Sequence, residues 1–218
     1  MVDEKSVSFE KFIQELQLGE DVIIEYTPEG PVHMLFYEIL KGLTNGGKVI
    51  IVDELDQLHV FRTHLHLSGV DTSLIDGSPV IKMGGIIPTG NILGKVDLNE
   101  EPPVRKKHYE EILKPLTGKH RFRVVVGFDK VLLSHENDPK ERERIFGYLL
   151  RPHLGDKSRI TLYIINKDLI SDKILKELRE HATRVLESRF EGKGFELRVV
   201  KSIIPEDYGY RVRVLIGE

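Results

Sequence analysis

The sequence predicts an α/β fold of three layers, α-β-α, with helices on both faces of a mostly parallel sheet and antiparallel strands at its C-terminal edge. Three observations carry this expectation. Short runs such as Val22–Ile24 and Val49–Val52 stay apolar without alternating, as strands buried on both faces do. The segments between such runs repeat apolar residues at helical spacing. Near the C-terminus, Phe195–Lys201 and Tyr210–Ile216 switch to apolar–polar alternation, as in Arg211-Val212-Arg213-Val214, which suits an antiparallel pair.

Each element has its own signal. Ser8 is placed to cap a short helix whose apolar residues Phe9, Phe12, Ile13 and Leu16 fall at i, i+3, i+4 and i+7. Val22–Tyr26 reads as a buried strand. A helical stripe of Leu35, Phe36, Ile39, Leu40 and Leu43 then runs to Asn45-Gly46-Gly47, a stop signal. After the strand Lys48–Val52, a helix turns Leu55, Leu58, Phe61 and Leu65 inward and stops at Gly69, and Leu74–Ile75 begins a third strand. Between Asp76 and Pro103, glycines at 77, 84, 85, 90 and 94 and prolines at 79, 88, 102 and 103 break the rhythm. Val80–Met83 and Asn91–Val96 read there as short strands of a Gly-rich hairpin or bulged excursion, followed by an acidic-Pro-basic linker, Glu100–Lys107. The excursion reads either as a surface insertion or as a ligand-bearing segment. Next come a helix around Tyr109–Leu116, a strand Phe122–Phe128 and a helix opened by Asp138 and Pro139. A strand Ile160–Ile165 and a long helix from Asp172 to about Arg189 follow. All of this is expected to form a single domain over residues 1–218, without internal repeats.

Composition narrows the chemistry. Of 218 residues, 40% are hydrophobic and 31% charged, which excludes a disordered chain. The absence of cysteine removes disulfide scaffolds, thiolate metal sites and cysteine nucleophiles together. A net charge of -3 gives no general attraction to polyanions. Gln occurs only at 14, 17 and 57 while Glu, Lys and Arg abound, a thermophile's pattern. No apolar run approaches the roughly 20 residues of a spanning helix, and Met1–Lys5 does not open a signal peptide, so a cytoplasmic protein away from membranes is expected.

In a parallel sheet, the turn from the first strand into its helix is the natural ligand crevice. Here that turn is Tyr26-Thr27-Pro28-Glu29-Gly30-Pro31-Val32-His33. Its strand-loop-helix frame has the length of a P-loop, yet the pattern G-x-x-x-x-G-K-[ST] falls on Tyr26, Pro31, Val32 and His33. The phosphate-neutralising Lys is therefore apolar, the second Gly is a Pro without an N–H, and Glu29 adds negative charge.

This order, followed by Gly47-Lys48-Val49-Ile50-Ile51-Val52 and acids, resembles the RecA/KaiC-type ATPase core. So does the tail, where Ile174–Glu187, with Ala182-Thr183-Arg184-Val185-Leu186-Glu187, leads into Leu197-Arg198-Val199-Val200-Lys201. The resemblance covers roughly residues 22 to 216 and implies a RecA-like sheet. The KaiC-like motif Lys-x-Arg-Gly, which reaches a neighbouring subunit's nucleotide, keeps Lys201 but has Ile203 and Ile204 in place of Arg and Gly. The family's catalytic acids match Glu54 and Asp56 best, although Asp53 or Glu54 at that place also suits a helix cap. Its Mg²⁺-organising Asp falls on Gly127, with Asp129 two positions on, where strand alternation would point it the same way. The chain thus resembles an archaeal KaiC-like relative of uncharacterised function that has kept the fold and lost Walker A.

Other chemistry is thinner. His59, His64 and His66 are spaced wrongly for a helical zinc pair and read as surface residues. His33 stands at the helix N-terminus, where the local field disfavours its protonation; it reads as a hydrogen-bond donor to a ligand or as a packing residue. No serine lies in G-x-S-x-G. Arg198, Lys201, Arg211 and Arg213 form a basic patch or, more plainly, the usual charge on edge strands.

The resulting expectation is a non-hydrolysing RecA/KaiC-like protein that binds a protein or peptide as a regulatory or scaffold subunit. Its binding residues would be Thr27, Pro28, Glu29, Gly30, Pro31 and His33, with no catalytic residue, metal or cofactor. RecA-type domains often pack subunit to subunit, so a homo-oligomer is part of this expectation. One alternative is an enzyme or sensor holding a nucleotide or other small ligand in the same crevice, with Glu54, Asp56 or Asp129 as acid–base groups. Another is a nucleic-acid-binding repair accessory using the terminal basic residues, which the net charge disfavours.

Overall fold

The computed structural model describes residues 6–116, 118 and 120–217, and the Met1–Lys5 opening lies outside them. The strands are β1 (Ser6–Ser8), β2 (Asp21–Tyr26), β3 (Val49–Glu54), β4 (Pro79–Met83), β5 (Asn91–Val96), β6 (Phe122–Val126), β7 (Ile160–Asn166), β8 (Arg184–Phe190), β9 (Gly194–Ser202) and β10 (Arg211–Leu215). The helices are α1 (Phe9–Glu15), α2 (Val32–Gly46), α3 (Gln57–Leu67), α4 (Ser73–Gly77), α5 (Pro102–Leu113), α6 (Phe128–Ser134), α7 (Pro139–Ile145) and α8 (Asp172–His181).

The strands join one sheet in the order β1-β10-β9-β8-β2-β7-β6-β3-β4-β5. From β8 to β5 every pairing is parallel, whereas β9 runs antiparallel to both β8 and β10. This is the mostly parallel sheet with antiparallel C-terminal strands that the pattern predicts. Alternation along the strands divides the core in two. Val22, Ile24 and Ile51 pack with Phe12, Leu35, Phe36 and Phe61 from α1, α2 and α3. Ile23, Val52 and Val125 face the other way, onto Tyr109, Phe128, Phe146 and Leu178. Helices therefore cover both faces, which explains why the central strands show no polar side in sequence.

Local signals explain several boundaries. Ser8 accepts a hydrogen bond from the Lys11 N–H at 3.3 Å, capping α1. Asp138 caps α7 through the N–H groups of Lys140 and Glu141. Asp53 stabilises the start of α3 from within β3, its Oδ1 accepting from the Leu58 N–H at 2.8 Å.

Six expectations are corrected. Leu74–Ile75 starts no strand: Ser73 N–H turns onto Asp71 Oδ1, and α4 follows with only Ile75 buried. The strands β4 and β5 are parallel rather than a hairpin, because residues 84–90 carry the chain back across the sheet before Asn91 donates to the Ser78 carbonyl. The Glu100–Lys107 linker is mostly helix, since Pro102 and Pro103 occupy the first turn of α5, where no N–H partner exists to be lost. The strand at Phe122 stops at Val126, because Gly127 takes a left-handed φ of +85° and starts α6. The long C-terminal helix ends at His181, and Arg184–Phe190 is instead β8, paired parallel with β2. The helical reading of Ala182–Glu187 in the KaiC-like resemblance falls with it. Finally, Leu55 precedes α3 rather than belonging to it. The small strand β1, which has no sequence signal, pairs with β10 and lies at the sheet's edge.

Candidate functional site

The crevice predicted at the first parallel strand is present. β2 ends at Tyr26, whose carbonyl accepts from the Lys167 N–H beyond β7, and Pro31 stands at the N-cap of α2 without a side-chain cap. Between these points the loop turns under the ends of β8 and β9 and leaves an open cavity of about 550 Å³. Thr27, Glu29 and Gly30 line it from the loop. The far wall carries Arg189, Phe190, Phe195 and Arg198, with Arg211 beside them.

The charges of this crevice are unequal once internal pairs are removed. Arg179 binds both Glu25 oxygens, at 2.6 and 2.5 Å, and Glu187 at 3.0 Å, so the Glu187 carboxylate is already compensated. The two carboxylates raise the Arg179 pKa further above its ordinary value. Glu196 is held by Arg211 at 3.1 Å. Among the described residues, Lys167, Arg189 and Arg198 have no ion pair, and Glu29 is the lining carboxylate that has none. Phe190, 42% exposed, packs its ring 5.2 Å from that of buried Phe195, giving the crevice an apolar step beside its cations.

The structure gathers some predicted site residues and separates others. Pro28 and Pro31 shape the loop but do not line the cavity. His33 points toward the end of α3, its Nε2 lying 3.3 Å from Ser68 Oγ and its ring 5.5 Å from that of His64. Burial, followed by repulsion from His64, lowers its pKa. Of the four basic residues, Arg198 and Arg211 are directly opposite each other in the register and reach the crevice. Arg213 faces Glu196 across the strands, and Lys201 is spent on the Arg179 and Glu180 carbonyls at 2.6 and 2.9 Å. Glu196 therefore interrupts the basic row.

The three candidate acids are separate in role. Asp56, in a left-handed conformation, accepts from Lys82 and from the Ile86 and Ile87 N–H groups; these bonds hold its pKa below the usual carboxylate range against burial. Asp129 lies in the first turn of α6, so the strand-alternation argument does not apply to it. It accepts from the N–H of Asn166 at 2.9 Å, tying α6 to the end of β7, while burial raises its pKa. Glu54 is buried on the opposite face from α2, and burial followed by the charge of Asp129 pushes its pKa up to about 8. None of the three lines the crevice beside Thr27. Among the described residues, no group of three or more His, Asp or Glu is placed to hold a metal ion, and no helix is long and apolar enough to cross a membrane.

Sequence reasoning missed Lys167, Arg189, Phe190 and Phe195 as lining residues. Arg189 and Phe190 lie in β8, which the helical reading concealed; the doublet Arg189-Phe190 just before Gly192 was the available signal of a strand end.

A solved structure from Pyrococcus horikoshii OT3, described as a structural study of Project ID PH0250, matches with TM-score 0.83 and 26% identity over 97% of this chain and 100% of that one. The crystal structure of flagellar accessory protein FlaH from Methanocaldococcus jannaschii matches at TM-score 0.47 and 14% identity, over 86% of this chain and 80% of that chain. No curated protein matches the sequence. The family of Pyrococcus proteins of unknown function called DUF257 matches residues 11–213, and the chain belongs to it.

Proposed function

We propose that this protein is a non-hydrolysing RecA-like protein that binds a polypeptide segment with acidic side chains in the crevice beside Thr27 and Gly30, in a regulatory or scaffold role. The observation that carries this reading is the crevice wall: Lys167, Arg189 and Arg198 without internal ion pairs, next to the exposed Phe190 ring. Cations fixed beside an aromatic step suit an extended segment with alternating acidic and apolar residues. Several features argue against phosphoryl transfer. The loop has no Lys, Pro31 supplies no N–H at the helix start, and Glu29 would stand near a polyphosphate.

A peptide library displayed on phage should be enriched for acidic–apolar sequences by this protein, and the enrichment should disappear in Phe190→Ala and Arg198→Glu. Enrichment that survives both substitutions defeats the proposal. A second reading, an anionic small ligand such as a nucleotide in the same crevice, draws support from the same three cations. Titration calorimetry with ATP-Mg²⁺ separates the two: micromolar binding that Arg198→Glu abolishes favours the nucleotide and overturns the peptide.

A further inference from the structure

The opposite face of the sheet holds an arrangement of polar groups that the crevice does not explain. The pairing register places Arg123 of β6, Thr161 of β7 and Asp21 of β2 side by side, an ionisable and polar row inside an otherwise apolar layer. Above it, under α5 and the turns that follow α7, lies an inner cavity of about 40 Å³. Arg123 and Arg159 are 5% and 3% exposed, and both line it with His153 and Glu54. Arg123 Nε, Arg159 Nε, His153 Nε2, Thr161 Oγ1 and Glu54 Oε2 are buried without a hydrogen-bond partner. Five such atoms around one cavity point to an occupant, because a buried polar atom left unpaired is costly.

Charge identifies the occupant's chemistry. Arg159 is paired with Asp156, but Arg123 has no ion pair among the described residues; its Nη2 lies 3.4 Å from His120 Nε2, and its guanidinium rests 5.3 Å from the Tyr109 ring centre. A buried guanidinium without a carboxylate is a strong demand for an anion. The unpartnered atoms are donors or can be, since a protonated Glu54 offers an O–H and the neutral His153 ring can carry its proton on Nε2. A volume of about 40 Å³ holds roughly three water-sized groups, which is the size of a carboxylate with its three heavy atoms. A larger open bowl of about 640 Å³ shares Arg123, His153 and Arg159 as walls, with Lys106, Lys107 and Lys114 and the acids Glu110 and Glu111 at its rim. Glu110 and Glu111 pair with Lys106 and Lys107 at 3.7 and 3.9 Å and Asp156 pairs with Arg159, so Lys114 and Arg123 carry the charge without an ion pair among the described residues, and it is positive.

We propose that this cavity binds the carboxylate of a small organic acid, held by Arg123 and Arg159, with the rest of the molecule in the lysine-rimmed bowl. The two guanidinium groups give the carboxylate charge-assisted hydrogen bonds in a buried site. The net positive charge left by Lys114 attracts the acid and favours those bearing a second negative group. This site lies across the sheet from the Thr27 crevice, and its occupancy is independent of the peptide proposal.

Titration calorimetry of the full chain with succinate, acetate and inorganic phosphate tests the proposal. Succinate is expected to bind one to one and more tightly than acetate, with at least a tenfold loss of affinity in Arg123→Gln. Lys107→Glu, on a side chain 74% exposed, reverses a rim charge and frees Glu111 at the surface; it should weaken succinate at least threefold at low salt and keeps the test valid if Arg123→Gln does not fold. Absence of binding by either acid, binding of phosphate alone, or succinate affinity unchanged in Lys107→Glu overturns the proposal, the cavity then being a water pocket or a site of other specificity.

Discussion

Arg184, 1% exposed at the start of β8, donates from Nε to Glu20 Oε2 at 2.7 Å, joining the entry of β2 to the strand beside it. Its Nη1 reaches Asp207 Oδ2 at 2.5 Å, so one guanidinium compensates two interior carboxylates. Replacement by Met keeps the stem's packing but leaves both acids unpaired. Arg184→Met is expected to cost about 3–5 kcal/mol in guanidinium unfolding. A loss below about 1 kcal/mol would show that the pair is solvated.

Asp56 joins three elements, taking Lys82 from β4 and the Ile86 and Ile87 N–H groups from the return segment. Asp56→Ala should lower stability by about 1–3 kcal/mol and, more tellingly, speed amide hydrogen exchange at 86 and 87 while exchange in β4 stays slow. Equal acceleration in both would assign Asp56 a global role instead.

Glu54 predicts a pH signature. Its folded pKa of about 8 lies above the ordinary 4.5, so the folded state holds the proton more tightly between those values. Its contribution to stability is fully present below pH 4.5 and is lost as pH rises through 8, by up to about 1.4 kcal/mol per pH unit. Asp21, raised to about 6 mainly by burial, acts in the same direction lower down; His153, lowered to about 4 by burial and then by Arg159, acts oppositely below 6.5. The window from 6.5 to 8 is therefore the informative one. Denaturation midpoints should fall there in the wild type and stay flatter in Glu54→Gln; parallel slopes would refute the assignment.

Gly127 ends β6 with φ +85°, and a Cβ there would collide with the Glu54 carbonyl oxygen. Gly127→Ala combines left-handed strain with that collision, and a loss of at least about 3 kcal/mol is expected. A melting temperature within a few degrees of the wild type would mean that the end of β3 yields easily.

What could be read in the sequence follows from physics that acts locally. The α1 cap at Ser8, the all-apolar β2 and β3, and the loop between Tyr26 and Val32 depend on neighbours within a few residues, and each is found where the pattern places it. β8 was hidden because Arg184-Val185-Leu186-Glu187 continues the helical spacing of α8, and its strand state is set by pairing with distant β2. The parallel course of β4 and β5 depends likewise on an anchor at Asp56. Half of the crevice was legible, the loop half; its cationic wall came with β8. The inner cavity was not legible, because the meeting of Arg123, Thr161 and Asp21 is a property of register across three strands. A charged residue inside each of two otherwise buried strands, Arg123 and Asp21, was its one trace.

The sheet order also bears on how the protein is made. β2, near the beginning of the chain, finds both its neighbours, β7 and β8, in the second half, and β1 is completed only by β10. A nascent chain leaving the ribosome would carry the apolar strand Val22–Ile24 without either neighbour until β7 emerges, well after β3 has met β4 and β6. Synthesis would thus pass through an extended interval in which sticky strand edges are open, and folding should be slow and late for a protein of this length. Exposure to aggregation during synthesis would then be set by topology rather than by stability.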